Sequence, residues 1–142
     1  MGKAVRTAQP RLVICGALLL GACLEQPVDL KPSVELLVTS SGEVQEGALR
    51  TLLSHGRTAL PPLEAVLHRT EPRARRAAVM ALRRLGLDET APLLGHVAQF
   101  DTDPSIRKEA RTVLEHWAAE KSPRGAAAQR ALFAAAGGDT AY

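Results

Sequence analysis

Aromatic residues are scarce in this 142-residue chain, where two Phe, one Trp and one Tyr make up 3%. A core with so few rings must be filled by aliphatic side chains. The supply is mostly Ala, Leu and Val, which favours small-residue helix packing over a sheet. The expectation is an all-α fold. Cysteine is as scarce: Cys15 and Cys23 are the only two, and neither has the His or Cys neighbours of a zinc site or redox pair. Neither a metal nor a cofactor is implied. The apolar run from Leu12 to Leu20 is less than half of the about 20 residues that span a bilayer. Catalytic signatures are missing too. H-E-x-x-H, G-x-S-x-G and a glycine-rich phosphate loop do not occur, and His55, His68, His96 and His116 fall on four different predicted helices or their ends. The reading is a protein without chemistry of its own.

Acidic residues are absent before Glu25, whereas Lys3, Arg6 and Arg11 precede the apolar run. A basic segment followed by a short apolar one is the pattern of a secretory signal. Its end, Leu20-Gly21-Ala22-Cys23, resembles the lipobox of bacterial lipoproteins. That resemblance implies that the Cys23 thiol takes a diacylglyceryl group and that residues 1–22 are cleaved away. It places the protein in a bacterial cell envelope, held to a membrane by lipid, with the periplasmic side of the outer membrane favoured if the cell is Gram-negative. Cys15 would be discarded, so no internal disulfide forms. The leader also carries the whole charge excess: three of eighteen basic residues lie in it and all fifteen acidic residues follow it. A basic pI of 9.2 then describes export and gives no footprint of nucleic-acid binding.

After Cys23, the stretch LEQPVDLKPS has two prolines and little apolar periodicity, so residues 23–32 read as an acylated tether. Beyond it the chain repeats. SGEVQEGALRTLLSHG from Ser41, EPRARRAAVMALRRLG from Glu71 and DPSIRKEARTVLEHWA from Asp103 align at offsets of 30 and 32. Val44, Ala74 and Ile106 match, as do Ala48, Ala78 and Ala110, and then Leu52, Leu82 and Leu114. The i, i+4, i+8 spacing draws one stripe on a helix, which His55, Leu85 and Trp117 finish. A second apolar segment precedes each copy, clearest in TALPPLEAVL and TAPLLGHVAQF. The turns between carry Pro72 or Pro104, suited to a first helical turn, with Asp103 as a cap. Gly56 and Gly86 close two copies where a left-handed residue is accepted at little cost. Each unit is helix, tight turn, helix.

DPSIRKEARTVL and EPRARRAAVMALRRLG resemble the second helix of HEAT repeats. The resemblance implies a short right-handed α-solenoid of about three helix pairs over residues 33–119. SPRGAAAQRALFAAAG, within residues 120–142, supplies a capping helix and tail. The first copy departs from the pattern, with Gly42 for the Pro and Gln45 for the Arg. In the family the residue matching Arg75 and Arg107 braces neighbouring repeats, so both are read as structural.

Function then falls to the opposite face of the second helices, which lines the concave side in HEAT arrays. Counting at 100° per residue, the outward positions are Arg76, Met80 and Arg83, then Glu46, Arg50 and Leu53 before and Lys108, Thr112 and Glu115 after. The binding candidates are Arg50, Arg76, Met80, Arg83, Lys108 and Thr112. Six Arg between residues 69 and 84 favour an anionic partner, an envelope protein with an acidic surface, and no nucleic acid. The alternative is a HEAT-like DNA glycosylase with a basic concave face. An exported chain would not meet DNA, and this face lacks aromatic residues to hold an extruded base.

Overall fold

The computed structural model describes residues 28–137, and every regular element among them is helical. In chain order these are α1 (Lys31–Thr39), α2 (Gly42–Ser54), a 3₁₀ turn (Gly56–Ala59), α3 (Leu60–Leu67), α4 (Pro72–Leu85), α5 (Thr90–Phe100), α6 (Pro104–Ala118) and α7 (Pro123–Ala135). The helix ends follow from local chemistry. Pro72, Pro104 and Pro123 occupy first turns, where a missing N–H is no loss. Asp103 caps α6 by accepting from the Ser105 N–H at 2.8 Å, and the Ser122 hydroxyl caps α7 by accepting from the Gly125 N–H at 3.0 Å. At the far end of α4, Gly86 turns the chain with φ 60°.

Consecutive helices pair as α1 with α2, α3 with α4, and α5 with α6. The second helices α2, α4 and α6 lie side by side in one layer, and α1, α3 and α5 form the other. This is a short all-α solenoid. Helix α7 packs on both members of the last pair and runs in the direction of α5. Near its start Arg124 donates to the Gly86 carbonyl at 3.2 Å, and midway a Cβ on Gly95 would stand 3.0 Å from the Ala131 Cβ. It occupies the place a fourth first helix would take and so covers that end of the stack.

Most of the shared stripe is core. Ala48, Ala78, Ala110, Leu52, Leu82 and Leu114 are buried, with Leu37, Leu63 and Leu94 facing them from the first helices. Val44 departs from its register partners and is 54% exposed: among the described residues no helix packs on the outer side of α2. Helix α4 shows the opposite effect. Flanked by α2 and α6, it buries Ala77, Val79 and Ala81 as well as the stripe, and alanines let its neighbours approach closely. The packed domain also begins earlier than residue 33. Leu30 is 5% exposed and α1 starts at Lys31, so the last residues assigned to the tether belong to the fold, with Pro32 in the first turn. The leader 1–22, Cys23 and residues 138–142 lie outside the described residues.

Arg75 is the brace expected of it. Its side chain is 8% exposed and lies against Asp101, itself 3% exposed. Nε and Nη2 donate to the two carboxylate oxygens at 2.8 and 3.0 Å, Nη1 to the Arg69 and Thr70 carbonyls, and Nη2 also to Thr102 Oγ1. One guanidinium thus ties the turn of its own repeat to the turn of the next. Arg107 donates to the Asp101 carbonyl at 2.6 Å, the same bond to its own turn one repeat later.

Candidate functional site: a groove along the second helices

The arginines of residues 69–84 are mostly engaged within the chain. Arg69 pairs with Glu35, Arg73 donates to the Ser40 carbonyl, and Arg84 lies 3.6 Å from Glu46. Arg76, placed outward from the sequence, crosses from α4 to α6. It donates to Ser105 Oγ at 2.6 Å and faces Glu109 at 3.6 Å and Asp103 at 3.9 Å. These pairs are exposed and contribute little to stability, yet they neutralise the cations they hold. Arg83 is different. Among the described residues it makes no ion pair or side-chain hydrogen bond, and it is exposed.

Arg83 stands at a groove of about 460 Å³ whose other walls are Ser105, Lys108, Glu109, Thr112, Val113, His116 and Trp117. Three of the six binding candidates, Arg83, Lys108 and Thr112, therefore meet in one concavity. Arg76 reaches its edge through Ser105 and Glu109. Met80 is half-buried against the core and is not an outward contact, because α4 has neighbours on both sides. Arg50 is exposed on α2 and lies outside the lining.

Helical spacing explains the convergence. Ser105, Lys108, Thr112 and His116 succeed one another at three or four residues, so they form one ridge of α6. The Ser105 hydroxyl donates to Asp103 at 2.6 Å, and this bond with the Ser105 N–H holds the Asp103 carboxyl below its ordinary range against a smaller opposing effect of burial. Trp117 closes the base at 4% exposure, with the Arg124 guanidinium 5.1 Å from its ring centre. Its ring is covered, which leaves no stacking platform for a base.

Ser105, Glu109, His116 and Trp117 complete a site that sequence reasoning only partly named. Aligning register positions pairs Arg76 with Lys108, whereas the neighbour in space is Ser105, one turn earlier. That shift comes from how α4 and α6 cross. The His116 signal was present as the next step of the 108, 112 ridge.

Among the described residues no cluster of three His, Cys, Asp or Glu side chains is disposed to hold a metal ion, and no helix is long and apolar enough to cross a membrane. A family model described as HEAT repeats matches residues 30–115, more than half of the chain. No curated protein and no solved structure matches it.

Proposed function

From the premise that this chain belongs to the HEAT-repeat family, we propose that it is a bacterial envelope lipoprotein acting as a protein-binding scaffold, with the α4–α6 groove as its contact surface. The observation that carries the binding half is the pairing of two exposed cations, Arg83 and Lys108, at a groove that also offers Thr112 and His116. Cationic donors beside a concave wall, unpaired among the described residues, suit a carboxylate-bearing loop or helix end of another protein. Because Arg76 is held by Asp103 and Glu109, selectivity for an acidic partner rests on Arg83 and Lys108. The reading assigns the protein no chemistry, cofactor or nucleic acid.

Support for the anchor comes from the LGAC stretch after a basic and then apolar leader. Each buried CH₂ of an acyl chain adds about 0.8 kcal/mol, so several chains at Cys23 would hold the module durably where one would not. The test is a photo-crosslinking residue placed at Thr112 in the intact protein, irradiated in whole envelopes, with the same residue at Arg57 as control. One dominant envelope protein trapped from Thr112 and not from Arg57 supports the reading. Equal, diffuse trapping from both positions contradicts it.

A further inference from the structure

The other layer of the solenoid carries a second cavity, of about 650 Å³, between α3 and α5. That size is within the range of ligand sites. Glu64 on α3 and His68 at its C-cap are four residues apart, and Pro92, His96 and Phe100 follow at i, i+4 and i+8 on α5. Three rings make a row along the groove. The His68 and His96 ring centres are 6.5 Å apart at 61°, and those of His96 and Phe100 are 4.9 Å apart at 47°. Phe100 is one of two phenylalanines in the chain and is 61% exposed. Its ring borders water on the groove side, beside an apolar base that includes Leu93 and Val97.

The charges at this groove decide what it accepts. Arg75 and Asp101 line it, but all five guanidinium N–H groups of Arg75 are spent on Asp101, Thr102 and the Arg69 and Thr70 carbonyls, so nothing remains for an anion. Arg69 is held by Glu35. Each cation is thus matched by a carboxylate. Glu64 is left over: it is exposed and makes no ion pair or hydrogen bond among the described residues. A lone carboxylate one turn from His68, in a groove that also offers the exposed Phe100 ring, is a cation-accepting arrangement, since a guanidinium can stack on an aromatic ring while pairing with an acid.

We propose that the α3–α5 groove is a docking site for a peptide segment that presents a basic side chain beside apolar ones. The cation meets Glu64 and the ring row that ends at Phe100, and the apolar neighbours fill the base. This surface lies on the opposite layer from the α4–α6 groove and prefers the opposite charge, so the module would hold two partners, or two parts of one, at once.

The test is fluorescence anisotropy of the full chain with two labelled peptides, Gly-Leu-Arg-Leu-Gly and Gly-Leu-Glu-Leu-Gly. The basic peptide should bind about tenfold tighter or better than the acidic one. Glu64→Gln should remove most of that preference, and Phe100→Ala should weaken the basic peptide about fivefold or more. Both positions are exposed, and unchanged helical circular dichroism checks the fold. Arg83→Ala with Lys108→Ala should leave the basic peptide unaffected and strips the other groove of the cations that would hold the acidic one, so the two peptides are compared in this background. In that background, equal affinities for the two peptides, no binding of either at millimolar concentration, or a preference that survives Glu64→Gln would overturn the proposal.

Discussion

Removing the carboxylate of Asp101 tests the architecture at its most consequential polar contact. The Arg75 and Asp101 side chains are 8% and 3% exposed, so Asp101→Ala leaves a cation in a nearly dry site. Breaking a buried pair from one side costs about 3–5 kcal/mol, because the remaining charge has lost both water and partner. Three of the five guanidinium N–H groups keep acceptors, in Arg69, Thr70 and Thr102, which places the expected loss toward the lower figure. The Asp103 N–H also loses its 2.8 Å bond, at the point where α6 begins. Against a total of about 5–15 kcal/mol for a small domain, this is a large fraction. Combining Asp101→Ala with Arg75→Met removes the stranded charge, so the double variant should lose less than the sum of the singles by about 1.5–3 kcal/mol. Urea denaturation followed by circular dichroism measures each value. A loss below about 1 kcal/mol for Asp101→Ala, or strict additivity, would refute the idea that this pair braces adjacent repeats.

Other consequences are open to direct measurement. Leu82→Ala empties a fully buried site on the central helix and should cost about 2–4 kcal/mol, melting the whole stack in one step; a melting temperature within a degree or two of wild type would mean that the register is wrong. Stability should fall in acid. Burial pushes the Asp101 carboxyl up, but Arg75 and the Asp103 N–H outweigh it and hold it low; the Arg124 bond likewise depresses Glu120. A carboxyl depressed in the folded state contributes stability that is present above its unfolded value, about 4, and is lost as pH falls through the folded one. Thermal melts should therefore be flat from neutrality to about pH 4.5 and decline below that, and a flat profile down to about pH 2 would count against these pairs. Cys23→Ser should abolish incorporation of a fatty-acid analogue and block processing, and an unlabelled wild-type protein would end the lipoprotein reading.

The repeat was legible because every second helix solves the same packing problem, so Ala48, Ala78 and Ala110 fall at one offset and are buried together. Caps were legible for the same reason: Asp103 and Ser122 act on their own next turns, within reach of local sequence. What escaped depends on neighbours. The exposure of Val44 reflects an outer side of α2 that no described helix covers, and the half-burial of Met80 the helices on both sides of α4. Arg76 appeared free because its partners, Ser105 and Glu109, lie 29 and 33 residues later and meet it only through the crossing of two helices. His68 and His96 read as lone histidines because they do not occupy equivalent positions of the repeat. Their offset of 28 matches neither 30 nor 32, and only the packing of α3 beside α5 brings their rings to 6.5 Å.

Whether Arg83 and Lys108 on the second-helix layer hold an acidic partner is measured most directly by affinity. The protein trapped from Thr112 would be titrated with wild type and with the Arg83→Glu, Lys108→Glu double variant at low and at high ionic strength. Both residues are exposed and away from caps and core, so folding stability should change by no more than about 0.5 kcal/mol. Binding should weaken by more than about tenfold at low salt, with the gap narrowing as salt screens the reversed charges. Equal affinities of the two proteins at both ionic strengths would show that these cations form a solvated face and that the α4–α6 groove is not the contact surface.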